Sequence, residues 1–220
     1  MSIQAVPALD TLETKETARP TVPLFLPSGI GTLLLRLEEG RFSQADFEFF
    51  AAENSDLQLE MSKEGEMIVM MPTGFEGSKR NAKLTARLVI WADEEGSGIA
   101  VEATAGFILP NGAERSPDAA WVRKERCEAF TPAQREKFLP LCPDFVVELR
   151  SRTDRLKTVK AKMEEYIENG AQLGWLIDPI KRKVHIYRPG VPVEILDNPT
   201  EVSGEPLLKG FTLKLAGILD

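Results

Sequence analysis

The sequence predicts an α/β protein: a mixed β-sheet flanked by helices, with an added N-terminal hairpin. Three features carry this expectation. The segment "DFVVEL" (residues 144–149) is apolar on both alternating faces, as a strand buried inside a layered sheet should be. Two stretches, 78–95 and 154–169, repeat apolar residues at helical spacing. Short strand-like runs alternate with them, and alternating strands and helices assemble as helices packed on a sheet.

The elements follow in order. Residues 1–40 read as a poorly ordered leader and residues 41–220 as a single domain. A helix begins after Ser43, with Asp46 placed to complete a capping box and Phe47, Phe50 and Ala51 on one face. "DLQLEMSKEGEMIVMMP" reads as a hairpin around Lys63-Glu64-Gly65. A long helix is expected from Ser78 to Glu95, with Leu84, Leu88 and Trp91 on its stripe and Gly96 after its end. "IAVEAT" and "GFILP" are short strands, Asn111-Gly112 is a tight turn, and "DAAWV" is a strand headed by Asp118. Thr131 caps a short helix that has Pro132 in its first turn. After "DFVVEL" comes the second long helix, stopped by Gly170, then the strands "LGWLID" and "KVHIYR" and a tail of short strands.

Composition narrows the chemistry. The single histidine, His185, excludes zinc sites that need two. Cys127 and Cys142 are too few and too far apart for a cysteine-built metal site or a disulfide framework, and free thiols are expected. No phosphate-cradling glycine loop and no nucleophile elbow is present. No apolar run approaches the roughly 18 residues of a membrane helix, and the N-terminus lacks secretory order, so a soluble, cytoplasmic protein is expected. The net charge of −7 argues against a globally basic nucleic-acid binder. Charge is segregated, however: residues 150–162 hold Arg150, Arg152, Arg155, Lys157, Lys160 and Lys162 against Asp154 alone.

The remaining candidates for chemistry are carboxylates, lysines and arginines acting with a hard metal ion. Asp118 opens one strand and Glu148 lies near the end of the next, 29 residues intervening. Two carboxylates on neighbouring strands can converge on Mg²⁺, which is commonly held by one or two carboxylates with water and phosphate oxygens. Arg150, two residues beyond Glu148, falls on the same face of the sheet.

This acid, gap, acid-x-base pattern resembles the PD-(D/E)XK nuclease superfamily. The surrounding text is more specific. "LQLEMSKEGEMIVMMPTG", "ERSPDAAWV", "PDFVVELRSRTDRLKTVKAKMEEYIENGAQLGWLIDP" and "KVHIYRPG", in this order from about residue 42 to 190, resemble the Uma-two family of restriction-endonuclease-like proteins. The resemblance implies a restriction-endonuclease-like sheet and Mg²⁺-dependent endonuclease activity on DNA, with Mn²⁺ as a substitute ion. It implies Asp118 and Glu148 as metal-binding catalytic acids. The usual lysine position after the second acid holds Arg150 here, and the resemblance transfers that lysine's role to Lys162, four residues before Tyr166. Glu60 corresponds to a further acidic position that could add an outer ligand. Where many relatives have a histidine near the start of the long helix, this chain has Ser78-Lys79-Arg80. Arg152, Arg155 and Lys157 would contact DNA phosphates, and cleavage of both strands would call for a homodimer.

Helix geometry does not by itself select the lysine. At about 100° per residue, Lys160 and Lys162 flank the apolar stripe centred near Met163 on opposite borders. Simpler roles also stand beside the catalytic ones. Asp118 after Pro117 can open a turn, Glu148 can pair with Arg150 or a helix lysine, and the basic run can be a solvated helix face. Asp144 reads as a residue that opens its strand and Asp178 as a turn cap. A catalytically inactive DNA-binding module and a protein-interaction domain are the alternative functions.

Overall fold

The computed structural model describes residues 32–36 and 40–220. Most of the expected leader therefore lies outside the described residues; within it, Thr32–Leu35 form strand β1. The chain continues with α1 (Gln44–Glu53), β2 (Gln58–Met61), β3 (Met67–Met70), α2 (Phe75–Glu95), β4 (Gly98–Glu102), β5 (Phe107–Ile108), β6 (Glu114–Arg115) and β7 (Ala119–Arg123). Then come α3 (Lys124–Glu128), α4 (Pro132–Arg135), β8 (Phe145–Leu149), α5 (Leu156–Glu168), β9 (Leu173–Asp178) and β10 (Lys183–Tyr187). Strands β11 (Glu194–Asp197), β12 (Glu201–Ser203) and β13 (Thr212–Lys214) complete it.

The main sheet has six strands in the order β11-β10-β9-β8-β7-β4. Strands β8 and β9 are parallel, joined through α5, and the other neighbours are antiparallel. The sheet is thus mixed and flanked by helices, as the sequence predicts. Side chains on a strand alternate between faces, and the core divides accordingly. Ala119, Trp121, Phe145, Val147, Trp175 and Ile177 pack against Leu84, Leu88 and Ala92 of α2 and against the C-terminal segment from Phe211 to Leu219. Ala120, Val122, Val146 and Leu176 pack beneath Met163 and Tyr166 of α5. Strand β8 is buried on both sides, which explains its unbroken apolar run.

The N-terminal hairpin is larger than expected. Strands β2 and β3 turn through Gly65, whose φ of +75° suits glycine. They form the centre of a second, antiparallel sheet of five strands, β1-β3-β2-β6-β5. One face of it, with Leu59, Met61, Met67 and Val69, is covered by Phe47 of α1. The capping box between Ser43 and Asp46 starts that helix as expected. Of the second sheet's two-residue strands, β5 lies within "GFILP", where a strand is expected, and β6 is not anticipated by the sequence. "GFILP" joins this second sheet and not the main one. Helix α2 begins at Phe75, three residues before the expected Ser78, because Gly74 already accepts from Ser78 N.

Among the described residues no helix is long and apolar enough to cross a membrane. Cys127 and Cys142 are buried and free.

Candidate functional site

The two sheets meet at a cleft of about 860 Å³, bounded by β2, β3, the start of α2, the end of β8 and α5. Glu60, Asp118, Glu148, Arg150, Arg152 and Lys162 all line it. The pairing of β7 with β8 explains why the two central acids converge. Ala119 lies opposite Val147, so one step further places Asp118 opposite Glu148. Directly opposed residues in an antiparallel pair project from the same face, with Cβ atoms about 5 Å apart. That face also carries Ala120 and Val146, beneath α5.

Each acid is fixed by its neighbours. Asp118 Oδ2 accepts a hydrogen bond from Leu149 N at 2.7 Å, and Oδ1 accepts from Asn81 Nδ2 at 2.9 Å. Glu148 Oε1 accepts from Tyr166 OH at 3.1 Å and lies 2.8 Å from Lys162 Nζ. Among the described residues Glu148 Oε2 accepts no hydrogen bond. Burial raises the Asp118 pKa against the hydrogen bonds that oppose it. Burial likewise pushes Glu148 up to about 8, with the negative charges of Asp118 and Glu60 adding to it and Lys162 opposing.

Lys162 is shared. Its Nζ also lies 2.7 Å from Glu60 Oε1. Burial would lower the ammonium pKa, yet Glu148 and Glu60 outweigh that and hold it above its ordinary value, so it stays protonated. Glu60 is almost fully buried, and burial alone would raise its pKa. Lys162 and Arg115 overcome this and hold the carboxylate ionised. Its Oε1 also accepts from Ser116 N at 2.9 Å, and its Oε2 accepts from Arg115 Nη1 at 3.2 Å. Arg115 donates in turn to Glu165 Oε2 at 2.7 Å. Both oxygens of Glu60 are therefore engaged, and Glu60 anchors Lys162.

Other expected residues fall elsewhere. Arg150 donates from Nη1 to Asp178 Oδ2 at 2.8 Å, with its remaining donors directed to the Asp154 carbonyl. It thus turns away from Glu148, and Asp178, fully buried, holds both Arg150 and the turn at Ile180 and Lys181. Lys160 does not line the cleft; its charge lies near His185 of β10, on the other border of α5. Arg152 is exposed on the cleft, whereas Arg155, the N-cap of α5, and Lys157 are exposed outside it. Asp144 does open β8, held by Arg123 and Arg126.

Arg115, Asn81 and Glu165 were not among the expected site residues, and Tyr166 was expected only on the buried stripe of α5. The only signal for Arg115 was its place in "ERSPD", three residues before Asp118. For Glu165, the i, i+3 relation to Lys162 on one helix was available, but its partner lay in the other sheet.

Among the described residues no three acidic, histidine or cysteine side chains are arranged to hold one ion. The donor set is the pair Asp118 and Glu148. It still suits a small hard cation. Four carboxyl groups (Glu60, Asp118, Glu148 and Glu165) surround two cationic side chains, Lys162 and Arg115, and the raised pKa values of Asp118 and Glu148 mark them as acids whose proton a bound cation would replace. Beside Asp118, Asn81 Oδ1 is buried without a hydrogen-bond partner, a neutral oxygen left for a water or an ion. Two carboxylates with water and phosphate completing the shell is how Mg²⁺ is usually held.

The mixed sheet, with acids on adjacent strand ends and an ammonium supplied by the helix behind them, belongs to the restriction-endonuclease-like fold. The crystal structure of a "putative nuclease belonging to DUF820 from Anabaena variabilis ATCC 29413" superposes with a TM-score of 0.63 at 21% identity, covering 73% of this chain and 89% of that one. Residues 45–216 match the model of the Uma2 family, described as "Putative restriction endonuclease", and the chain belongs to that family. No curated protein matches the chain.

Proposed function

We propose that the chain is a metal-dependent DNA endonuclease that hydrolyses phosphodiester bonds through Asp118, Glu148 and Lys162. The observation that carries this reading is the position of Lys162, 2.8 Å from Glu148 on a cleft that Asp118 also lines. Asp118 and Glu148 would hold Mg²⁺ or Mn²⁺, through the free Glu148 Oε2 and the Asp118 carboxylate. A divalent ion bound there supplies Lewis acidity toward the phosphate and makes hydroxide available near neutral pH.

The protein's own groups have distinct tasks. Leu149 N and Asn81 fix the Asp118 carboxylate, so its orientation need not be found anew with each substrate. Tyr166 does the same for Glu148. Lys162, pinned between two anions, presents a preorganised positive charge where charge grows on the phosphate or on the attacking oxygen. A fixed donor of this kind typically lowers the barrier by about 3 kcal/mol. Arg152 on the cleft, with Arg155 and Lys157 nearby in sequence, would hold the DNA backbone, which positions the strand without reading its bases.

The direct test is a cleavage assay with supercoiled, linear and single-stranded DNA in Mg²⁺ or Mn²⁺, comparing the wild type with Glu148→Ala. Metal-dependent cleavage lost in the variant is the expected result. Salt-sensitive binding with no cleavage under any metal would instead identify an inactive DNA-binding module. Neither binding nor cleavage would leave a protein-interaction domain.

A further inference from the structure

The apolar mouth of the cleft has no role in the hydrolytic site. Phe75, the first residue of α2, is 81% exposed and lines the cleft. Met71 and Ile180 line the same cleft and are 40% and 45% exposed. An exposed phenyl ring of this kind contributes little to folding, and apolar side chains gathered at one opening mark a binding surface. The opening also carries Lys63 and Arg152, which are exposed cations suited to phosphates. An aromatic face beside cations is how single-stranded nucleic acid is bound: bases stack on the ring while the basic groups follow the backbone.

The dimensions point the same way. Glu148 is only 8% exposed, at the floor of a cleft of about 860 Å³. A recessed carboxyl is reached more readily by the flexible backbone of a single strand than by that of a stiff double helix. A base on an unpaired strand that enters the cleft is free to stack on the ring at its edge.

We propose that Phe75 is the stacking platform for an unpaired nucleobase, so that the substrate is single-stranded or locally unpaired DNA at the point of cleavage. This rests on the nuclease reading and adds the substrate class and a positioning residue. It is tested by fluorescence anisotropy in a metal chelator, which separates binding from cleavage. Labelled single-stranded and duplex oligonucleotides of one sequence are titrated with the wild type, Phe75→Ala, Phe75→Trp and, as a control on the same helix away from the cleft, Ile90→Ala. The wild type should bind the single strand more tightly than the duplex. Phe75→Ala should weaken single-strand binding about five- to a hundredfold, Phe75→Trp should restore it, and Ile90→Ala should leave it unchanged. A 2-aminopurine placed in the single strand should lose its emission on binding the wild type but not Phe75→Ala. Equal affinity of wild type and Phe75→Ala for the single strand, or tighter binding of the duplex, overturns the proposal. Failure of the nuclease reading is seen separately, as absent cleavage of a strand that is bound in the presence of Mg²⁺ or Mn²⁺.

Discussion

Glu60 Oε1 lies 2.7 Å from Lys162 Nζ, and this ion pair joins β2 of the smaller sheet to α5 of the larger one. The ammonium would otherwise have Glu148 as its single anionic partner. With two, its position is set from two sides, and a lysine with four rotatable bonds is held at one point of the cleft.

Substituting Glu60→Ala should therefore damage both stability and activity. It leaves Lys162 and Arg115 each short of a buried partner, and removing one member of a buried ion pair costs about 3–5 kcal/mol. Urea unfolding should show a lower midpoint with little change in slope. Lys162→Met, which keeps the apolar stem, should reduce cleavage about a hundred- to a thousandfold in single-turnover assays. A Lys162→Met protein that cleaves at the wild-type rate would remove the lysine from the mechanism.

Mg²⁺ should raise the thermal stability of the wild type and not of Glu148→Gln or Asp118→Asn. At tenfold excess over its dissociation constant, a ligand confined to the folded state contributes about 1.4 kcal/mol. The measurement is a thermal melt across a metal titration. An equal response in wild type and variants would place the ion elsewhere.

Arg150→Lys should not create a second catalytic lysine. The guanidinium it replaces is engaged with Asp178 and the Asp154 carbonyl and not with Glu148. The variant should lose stability, by about 1 kcal/mol or more for the lost charge-assisted bonds, without a gain in cleavage. Arg150→Ala should be worse, because it leaves Asp178 buried and unpaired.

Glu114 gives a pH dependence of stability. It lies on the α1 side of the smaller sheet, opposite Met61, with Oε1 buried and unpaired. Burial, reinforced by the charge of Glu48, pushes its pKa from 4.5 to about 7. Between these values the folded state binds the extra proton, so its contribution is largest below 4.5 and is lost as pH rises through about 7. Each pKa unit of difference corresponds to about 1.4 kcal/mol. Asp118 and Glu148 shift in the same direction, so the test is the difference between proteins. Glu114→Gln should gain stability relative to wild type at pH 8 and gain little at pH 5, measured by urea midpoints.

The sequence displayed those parts of the fold that repeat over several residues. The double-sided run in β8, the stripes of α2 and α5, and the Ser43–Asp46 capping box are local patterns with local causes, and each forms where its pattern lies. The second sheet was less legible because its members are short. Strand β6 has two residues, too few for alternation, and β1 sits in a segment without distinctive periodicity. The candidate site divides in the same way. Asp118 and Glu148 could be singled out from their strand ends, whereas the roles of Glu60 and Arg115 depend on how one sheet docks against the other. Lys160 and Lys162 are equivalent by periodicity on the helix; the resemblance favoured Lys162, and Lys162 is the one that lies beside Glu60 and Glu148.

Because the anion that steadies Lys162 is donated by the smaller sheet, that sheet is not an ornament that could be trimmed or exchanged freely. A chimera that grafts the N-terminal half of one relative onto the C-terminal half of another should keep its site intact only if the graft brings a carboxylate at position 60 together with the arginine of β6. Compatibility between the halves is set at that seam.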